Sequence, residues 1–192
     1  MLKIGVLALQ GAFIEHIHRL GELGVPASQV RLPGDLQGID GLIIPGGEST
    51  TIGKLMVSFG LVDPIRRFAA DHAVWGTCAG MILMAQRIEP GQPLLGFMNI
   101  AVERNAFGRQ IDSFEEPLAV PILKGGDARP FPGIFIRAPR LIDACTPAQL
   151  IARLADGTAV AALEGRWLAT AFHPELSGDP RFHQYFLEMA RS

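Results

Sequence analysis

The segment Ala73-Val74-Trp75-Gly76-Thr77-Cys78-Ala79-Gly80-Met81 restricts what this chain can fold into more than any other stretch. An apolar run that reads as the end of a buried strand enters a turn of small residues. Met81-Ile82-Leu83-Met84-Ala85 leaves that turn as the start of a helix. A strand-to-helix turn with glycine on both sides of a nucleophile is the nucleophile-elbow pattern, here with Cys78 in place of serine. The glycines have a mechanical purpose. The turn is tight, side chains would collide with the neighbouring strand, and the nucleophile takes a conformation most residues avoid. Such an elbow presents the thiol at the carboxyl end of a sheet and at a helix N-terminus, where free N–H groups and the helix dipole favour an anion. A lone cysteine is more often an inert buried filler, so the elbow acquires chemical meaning only with a matching base.

The rest of the chain repeats the strand-turn-helix theme. Leu2 to Leu9 is a nearly continuous apolar run, as expected of a central strand covered on both faces, and Gln10-Gly11-Ala12 breaks it. Phe13, Ile17, Leu20 and Leu23 recur at helical spacing, and Gly24-Val25-Pro26 stops that helix. Val30 to Leu32 reads as a second strand and Gly41 to Ile44 as a third. The third ends in Pro45-Gly46-Gly47-Glu48-Ser49-Thr50, with a helix beginning near Ser49 or Thr50, both good N-caps. Glycines there leave backbone N–H groups free for a phosphate or a developing oxyanion. No lysine stands at the spacing a Walker loop needs. Leu61, Ile65, Phe68 and Ala69 mark a helix leading into the Val74 strand.

Beyond Gln86 the alternation weakens. Ile100 to Glu103, Leu118 to Leu123 and Gly133 to Ile136 read as strands, the first two extending or crossing the sheet in antiparallel fashion. Leu150 to Leu154, Ala159 to Leu163 and Trp167 to Phe172 read as a closing meander with turns at Asp156-Gly157 and Glu164-Gly165. Phe182, Tyr185, Phe186 and Met189 give the terminal helix, Pro180 to Arg191, an apolar face. The fold class this predicts is α/β: three layers, a mostly parallel central sheet flanked by helices, and antiparallel strands added in the C-terminal half. With 192 residues, 48% of them hydrophobic, and no dividing linker, residues 1–192 are expected to form a single domain.

Composition narrows the function classes. Lys+Arg 17 against Asp+Glu 19 leaves no basic excess to neutralise phosphates, so nucleic acid is a poor partner and a small molecule a better one. Two cysteines, Cys78 and Cys145, and an opening that enters a strand pattern at once predict a cytoplasmic, disulfide-free chain without a structural zinc. No apolar stretch approaches the roughly 20 residues that span a bilayer, so no membrane association is expected.

The matching base lies near the C-terminus in Phe172-His173-Pro174-Glu175. In an extended segment alternate side chains share a side, and Pro174 favours that conformation, so Glu175 can hold one imidazole nitrogen of His173 while the other faces the thiol. This is triad logic: Cys78 attacks, His173 shuttles the proton and Glu175 orients it. Nucleophile and base both at strand ends agree with one site on the carboxyl edge of a parallel sheet.

Gly76-Thr77-Cys78-Ala79-Gly80 together with Phe172-His173-Pro174-Glu175 resembles the class-I, triad-type glutamine amidotransferases. Further motifs narrow this: Leu9-Gln10-Gly11-Ala12 followed by Glu15-His16, Pro45 to Thr51, Val102-Glu103-Arg104-Asn105-Ala106-Phe107-Gly108-Arg109-Gln110, and Phe135-Ile136-Arg137-Ala138-Pro139. They resemble the glutaminase-subunit family of pyridoxal 5'-phosphate synthases, from the first strand to the last helix. The resemblance implies hydrolysis of L-glutamine to glutamate and ammonia, with no cofactor in this chain. It implies an oxyanion site at the N–H groups of Gly47 and Ala79, and a glutamine pocket formed by Gly47, Glu48, Ser49, Arg104, Ile136 and Arg137. An arginine there suits the α-carboxylate and Glu48 the α-ammonium. It also implies a partner, a separate (β/α)8-barrel synthase subunit that consumes the ammonia. Gln10, Glu15 and His16 are the candidates for sensing that partner. Two other readings of the same residues are a hydrolase of γ-glutamyl peptides and a catalytically idle binding module. The intact Cys78, His173 and Glu175 set argues against the latter.

Overall fold

The computed structural model describes residues 1–89, 91–104 and 113–192. In chain order the elements are β1 (Ile4–Leu7), α1 (Phe13–Glu22), β2 (Ala27–Val30), β3 (Gly41–Ile44), α2 (Ser49–Ser58), α3 (Val62–Asp71), β4 (Ala73–Thr77) and α4 (Ala79–Met84). There follow β5 (Ala85–Glu89), β6 (Met98–Glu103), β7 (Ser113–Leu118), β8 (Phe131–Ile136), β9 (Arg140–Ala144), β10 (Gln149–Arg153), β11 (Ala159–Glu164), β12 (Trp167–Thr170) and α5 (Arg181–Arg191). Every residue of β1, β3 and β4 is buried, which is what their unbroken apolar runs require.

Among the described residues the central sheet runs β2-β1-β3-β4-β12-β11-β9-β6-β5, with β10 added on β11. The pairs from β2 through β12 are parallel. The meander β10-β11-β12 and the β6–β9 pair are antiparallel. This is the α/β arrangement expected, a mostly parallel sheet with antiparallel strands joined to it in the C-terminal half.

Alternation along β4 shows how the layers form. Trp75 is fully buried, its ring 6.1 Å from Phe182 and 5.6 Å from Phe186 of α5. Gly76, one residue on, faces the opposite side, where an added Cβ would strike the backbone of Gly80 and the sulfur of Met84 in α4. Helices therefore cover both faces. Phe131, Phe135 and Phe172 continue the aromatic layer against Phe182, and each such side chain contributes about 1.5–3 kcal/mol by leaving water. No helix among the described residues is long and apolar enough to cross a membrane.

Several local expectations differ from what forms. The second strand is Ala27–Val30 and not Val30 to Leu32, because Asp35 accepts from the N–H groups of Arg31 and Leu32 and draws them into the following turn. The cap of α2 is Glu48, whose carboxylate accepts from the N–H groups of Thr50 and Thr51, so Ser49 and Thr50 lie inside the helix. The helix after the elbow has only six residues, and Ala85 turns the chain into the unanticipated strand β5. Leu118 closes β7, and Pro121 with Gly125 at φ +68° makes the segment after it a series of turns. The β7–β8 pair forms its own antiparallel ribbon instead of extending the central sheet. Asn105 to Gln110 of the Arg104 motif lie outside the described residues.

The elbow glycines are the tightest points. A Cβ on Gly80 would fall on the carbonyl oxygen of Ile44 in β3, which is backbone and cannot rotate away. Gly80→Ala should lower stability by about 1–3 kcal/mol, the usual cost of overpacking. Chemical denaturation checks this, and an unchanged midpoint would mean that α4 does not seat against β3 as described.

Candidate active site

Strand register assembles the site. Ile44 pairs with Gly76, and Thr77 pairs with Thr170, all in parallel, so β3, β4 and β12 end at one sheet edge. Gly46-Gly47, Cys78 and His173 lie within three residues of those strand ends and meet there. The backbone N–H of Cys78 donates to the Thr170 carbonyl at 2.8 Å, tying the elbow to the strand that delivers His173. The N–H of His173 donates to the Ile134 carbonyl at 2.8 Å, so the ribbon strand β8 holds the base from the other side.

Gly46 lies between the two reactive groups. A Cβ on it would run into His173 Cε1 and come within 3.3 Å of Cys78 Cβ. A side chain there would push imidazole and thiol apart, which accounts for this glycine on contact grounds alone. Cys78 itself has φ 49°, and Arg137 has φ 43°. Among the described residues these are the non-glycine positions in the left-handed region, and both line the same cleft. Strain concentrated at a cleft is the pattern of sites where geometry serves function.

His173 Nδ1–H donates to Glu175 Oε1 at 2.7 Å, both groups being buried. The means differ from the extended segment expected. Pro174–Leu176 forms one turn of 3-10 helix, and that turn folds the Glu175 carboxylate back onto His173. Burial alone would drive the His173 pKa down. The Cys78 side chain and the hydrogen-bonded Glu175 carboxylate beside it outweigh burial and push it up to about 10. Burial likewise disfavours the Glu175 anion, yet His16 and His173 hold its pKa below the usual carboxylate value.

The cleft has a volume of about 410 Å³. Its lining includes Gln10, Gly47, Glu48, Ser49, Cys78 and Ala79, together with Arg104, Ile136, Arg137 and His173. Thr50 and Ile82 also line it and were not anticipated. As the first residue of α4, Ala79 carries an N–H with no partner inside its helix. Gln10 Oε1 accepts from the Glu48 N–H at 2.7 Å, which fastens the glycine loop to the end of β1. Glu48 is engaged on two sides: the Thr51 hydroxyl, and then the N–H groups of Thr50 and Thr51, hold its pKa down to about 2 against slight desolvation.

The two arginines differ. Arg104 Nη1 donates to Thr50 Oγ1 at 2.8 Å and to Gln92 Oε1 at 2.9 Å. Gln92 also accepts from the Ser49 hydroxyl at 3.1 Å, so it clips the far wall of the cleft. Nothing in the local sequence signals that role, since Gln92 stands between Gly91 and Pro93 in a segment without periodicity. Arg137 is exposed at the rim and makes no hydrogen bond or ion pair among the described residues. The three residues considered for partner sensing fall in different places. Glu15 is exposed, but His16 is fully buried and turns inward to Glu175, because α1 directs that face at the sheet. Gln10 belongs to the cleft.

Comparison with known proteins gives a consistent result. The model of the SNO glutamine amidotransferase family matches residues 6–192. A protein of Herpetosiphon aurantiacus named pyridoxal 5'-phosphate synthase subunit PdxT is 57% identical over 191 residues, covering 97% of this chain and 99% of its own length. One of the same name from Dehalococcoides mccartyi is 54% identical over 99% of this chain and 98% of its own. A solved structure described as a glutamine amidotransferase superposes with a TM-score of 0.92 at 48% identity, over 98% of this chain and 99% of that one. PurLQS from Thermotoga maritima, at 15% identity, matches in fold with a TM-score of 0.74 over 97% of this chain and 98% of that one.

The electrostatics of the cleft lead to a measurable titration. In nitrogen-detected imidazole NMR, His173 should remain an imidazolium at pH 8 and titrate near 10. Cys78 and Glu175 both raise its pKa, so Cys78→Ala and Glu175→Gln should each lower the midpoint. A wild-type midpoint near 6.5 would contradict the pairing.

Proposed function

Since the chain belongs to the SNO glutamine amidotransferase family, we propose that residues 1–192 act as one domain. In this reading the domain hydrolyses L-glutamine to L-glutamate and ammonia through Cys78, His173 and Glu175, and supplies the ammonia to a barrel-shaped synthase subunit that makes pyridoxal 5'-phosphate. The observation that carries the reading is the convergence of the thiol, the imidazole–carboxylate pair and the Gly47 loop on one cleft. The names of the full-length relatives support the biosynthetic context. The reaction belongs to the cytoplasm, where both cysteines stay free thiols.

The geometry of the cleft supports the following chemistry. Glutamine enters with its side-chain amide toward Cys78 and its α-carboxylate toward Arg137, whose guanidinium has no partner among the described residues. Arg104 and Gln92 shape the wall beside Ser49 and Thr50. The Cys78 thiolate adds to the amide carbon, and the carbonyl electron pair moves onto oxygen. The N–H groups of Gly47 and Ala79 receive that oxyanion, each such donor being worth about 10²–10³-fold in rate. His173 donates its Nε2 proton to the departing nitrogen, the C–N bond breaks, and ammonia leaves a γ-glutamyl thioester on Cys78. His173, now neutral, takes a proton from water as the water attacks the thioester. Collapse of that second tetrahedral species releases glutamate and returns the thiolate–imidazolium pair. Glu175 holds the imidazole through Nδ1 in both half-reactions. Ammonia freed into water would be protonated and lost, which is why a partner that consumes it belongs to the scheme.

Two measurements test this. Glutamate release from L-glutamine, followed with and without the synthase subunit, should be detectable in the complex and absent for Cys78→Ala in the same complex. Turnover by that variant would remove Cys78 as the nucleophile, and wild-type activity on γ-glutamyl peptides alone would replace the substrate. Arg137→Ala should raise KM for glutamine about 10- to 100-fold at nearly unchanged kcat, the worth of a charge-assisted bond of about 1.5–3 kcal/mol. An unchanged KM would assign the carboxylate elsewhere.

A further inference from the structure

Behind the cleft the carboxylate of Glu175 has a second neighbour. His16 is fully buried on α1, with its Nε2 3.4 Å from Glu175 Oε2 and 3.3 Å from Thr77 Oγ1. Its other nitrogen, Nδ1, lies 3.0 Å from Nε2 of His183 on α5, which is also fully buried. The indole of Trp75 packs edge-on against both rings, at 5.6 Å from His16 and 4.8 Å from His183. The two oxygens of Glu175 therefore face different imidazoles, Oε1 toward His173 and Oε2 toward His16. Oε2 is buried and has no hydrogen-bond partner among the described residues, and His16 Nε2 at 3.4 Å is the imidazole nitrogen beside it.

Proton accounting fixes the roles. For His16 Nε2 to donate toward Glu175 and Thr77, its Nδ1 must be the unprotonated nitrogen and accept from His183 Nε2–H. That leaves His183 Nδ1 as a bare lone pair, and this atom has no hydrogen-bond partner among the described residues. The opposite tautomer would aim the His16 lone pair at an anionic oxygen. Charge matters as much as tautomer. An imidazolium at His16 would compete with His173 for the one carboxylate, whereas a neutral ring supplies only a dipole. Burial keeps His16 neutral, with Glu175 opposing, His173 assisting and Glu15 opposing. Burial, His16 and Arg19 do the same for His183.

We propose that His16 is a positioning residue for the reaction: a neutral imidazole, set in its Nε2–H tautomer by His183, that faces the free oxygen of Glu175 and holds the other oxygen on His173. The inference rests on the triad reading of the site, through which His16 acts without touching substrate. It replaces a surface role for this residue with an interior one, and it identifies His183 as the group that fixes the tautomer.

The test uses the full chain bound to its synthase partner for kinetics and the free chain for NMR. His16→Leu keeps the volume and removes the donor, while His16→Gln keeps an amide donor at a similar reach. By analogy with outer-shell groups that orient catalytic ligands, His16→Leu should lower kcat for glutamate release about 10- to 100-fold with KM unchanged. It should also bring the His173 midpoint down from about 10. His16→Gln should restore most of both. Equal losses in the two variants would make His16 a packing residue and overturn the proposal, as would wild-type kcat and an unmoved His173 midpoint in His16→Leu. If His16→Leu does not fold, the wild-type imidazole spectrum decides: a neutral Nε2–H ring at pH 7 is expected, and an imidazolium or an Nδ1–H ring refutes it. If wild-type complex released no glutamate, the glutaminase reading would fail, while the ring spectrum would still report on His16.

Discussion

The close packing of Gly46 between the imidazole of His173 and the Cβ of Cys78 is the constraint on which the rest depends. Three parallel strands must end level for that packing to occur, and the pairing of Ile44 with Gly76 and of Thr77 with Thr170 achieves it. The neighbouring glycines extend the same logic. Gly80 lets α4 rest against the Ile44 carbonyl, and Gly11 lets the β1 turn rest against the Gly46 carbonyl, where a Cβ would overlap backbone. The cleft is therefore a consequence of backbone-to-backbone approach, with the reactive side chains added at its rim. The core supplies the rigidity, since Trp75, Phe172, Phe182 and Phe186 lock β4 and β12 to α5 directly beneath the site.

Electrostatics act on top of that frame. A buried carboxylate is costly unless its oxygens are engaged, and a buried imidazolium is costly unless a charge faces it. Behind the thiol, His173 bonds Glu175 Oε1, and the His16 imidazole lies 3.4 Å from the unbonded Oε2. Burial pushes the pKa of both His173 and His16 down, and only at His173 do the neighbouring groups reverse it. His173 is flanked by Cys78 and Glu175, whereas at His16 the pull of Glu175 is opposed by His173. The ring that faces the nucleophile can thus carry a proton, while the ring behind it stays uncharged.

Much of this was legible in the chain because the strong signals were local. Unbroken apolar runs marked β1, β3 and β4, glycines marked the turns after them, and the Phe182-Phe186 spacing marked α5. What escaped was decided by tertiary contact. Ala85 begins a strand immediately after a helical run because α4 has only six residues before the chain reaches the sheet again. Gln92 has no local pattern and is recruited by Ser49 and Arg104. In the sequence His16 groups with Gln10 and Glu15 as a partner-sensing candidate, and only the approach of the 3-10 turn Pro174–Leu176 to α1 shows that its face is turned inward. Glu175 reaches His173 through that same turn, a geometry that an extended His-Pro-Glu segment does not suggest.

The most direct measurement of the central claim is covalent trapping with a glutamine analogue that carries a chloroketone in place of the carboxamide, read by peptide mass spectrometry. Attack by sulfur with loss of chloride should place one adduct on the peptide containing Cys78. Cys145 should stay free, L-glutamine should protect, and the rate should fall in His173→Gln. Modification spread over both cysteines, or insensitive to glutamine and to His173, would contradict an assembled thiol–imidazole site in this cleft.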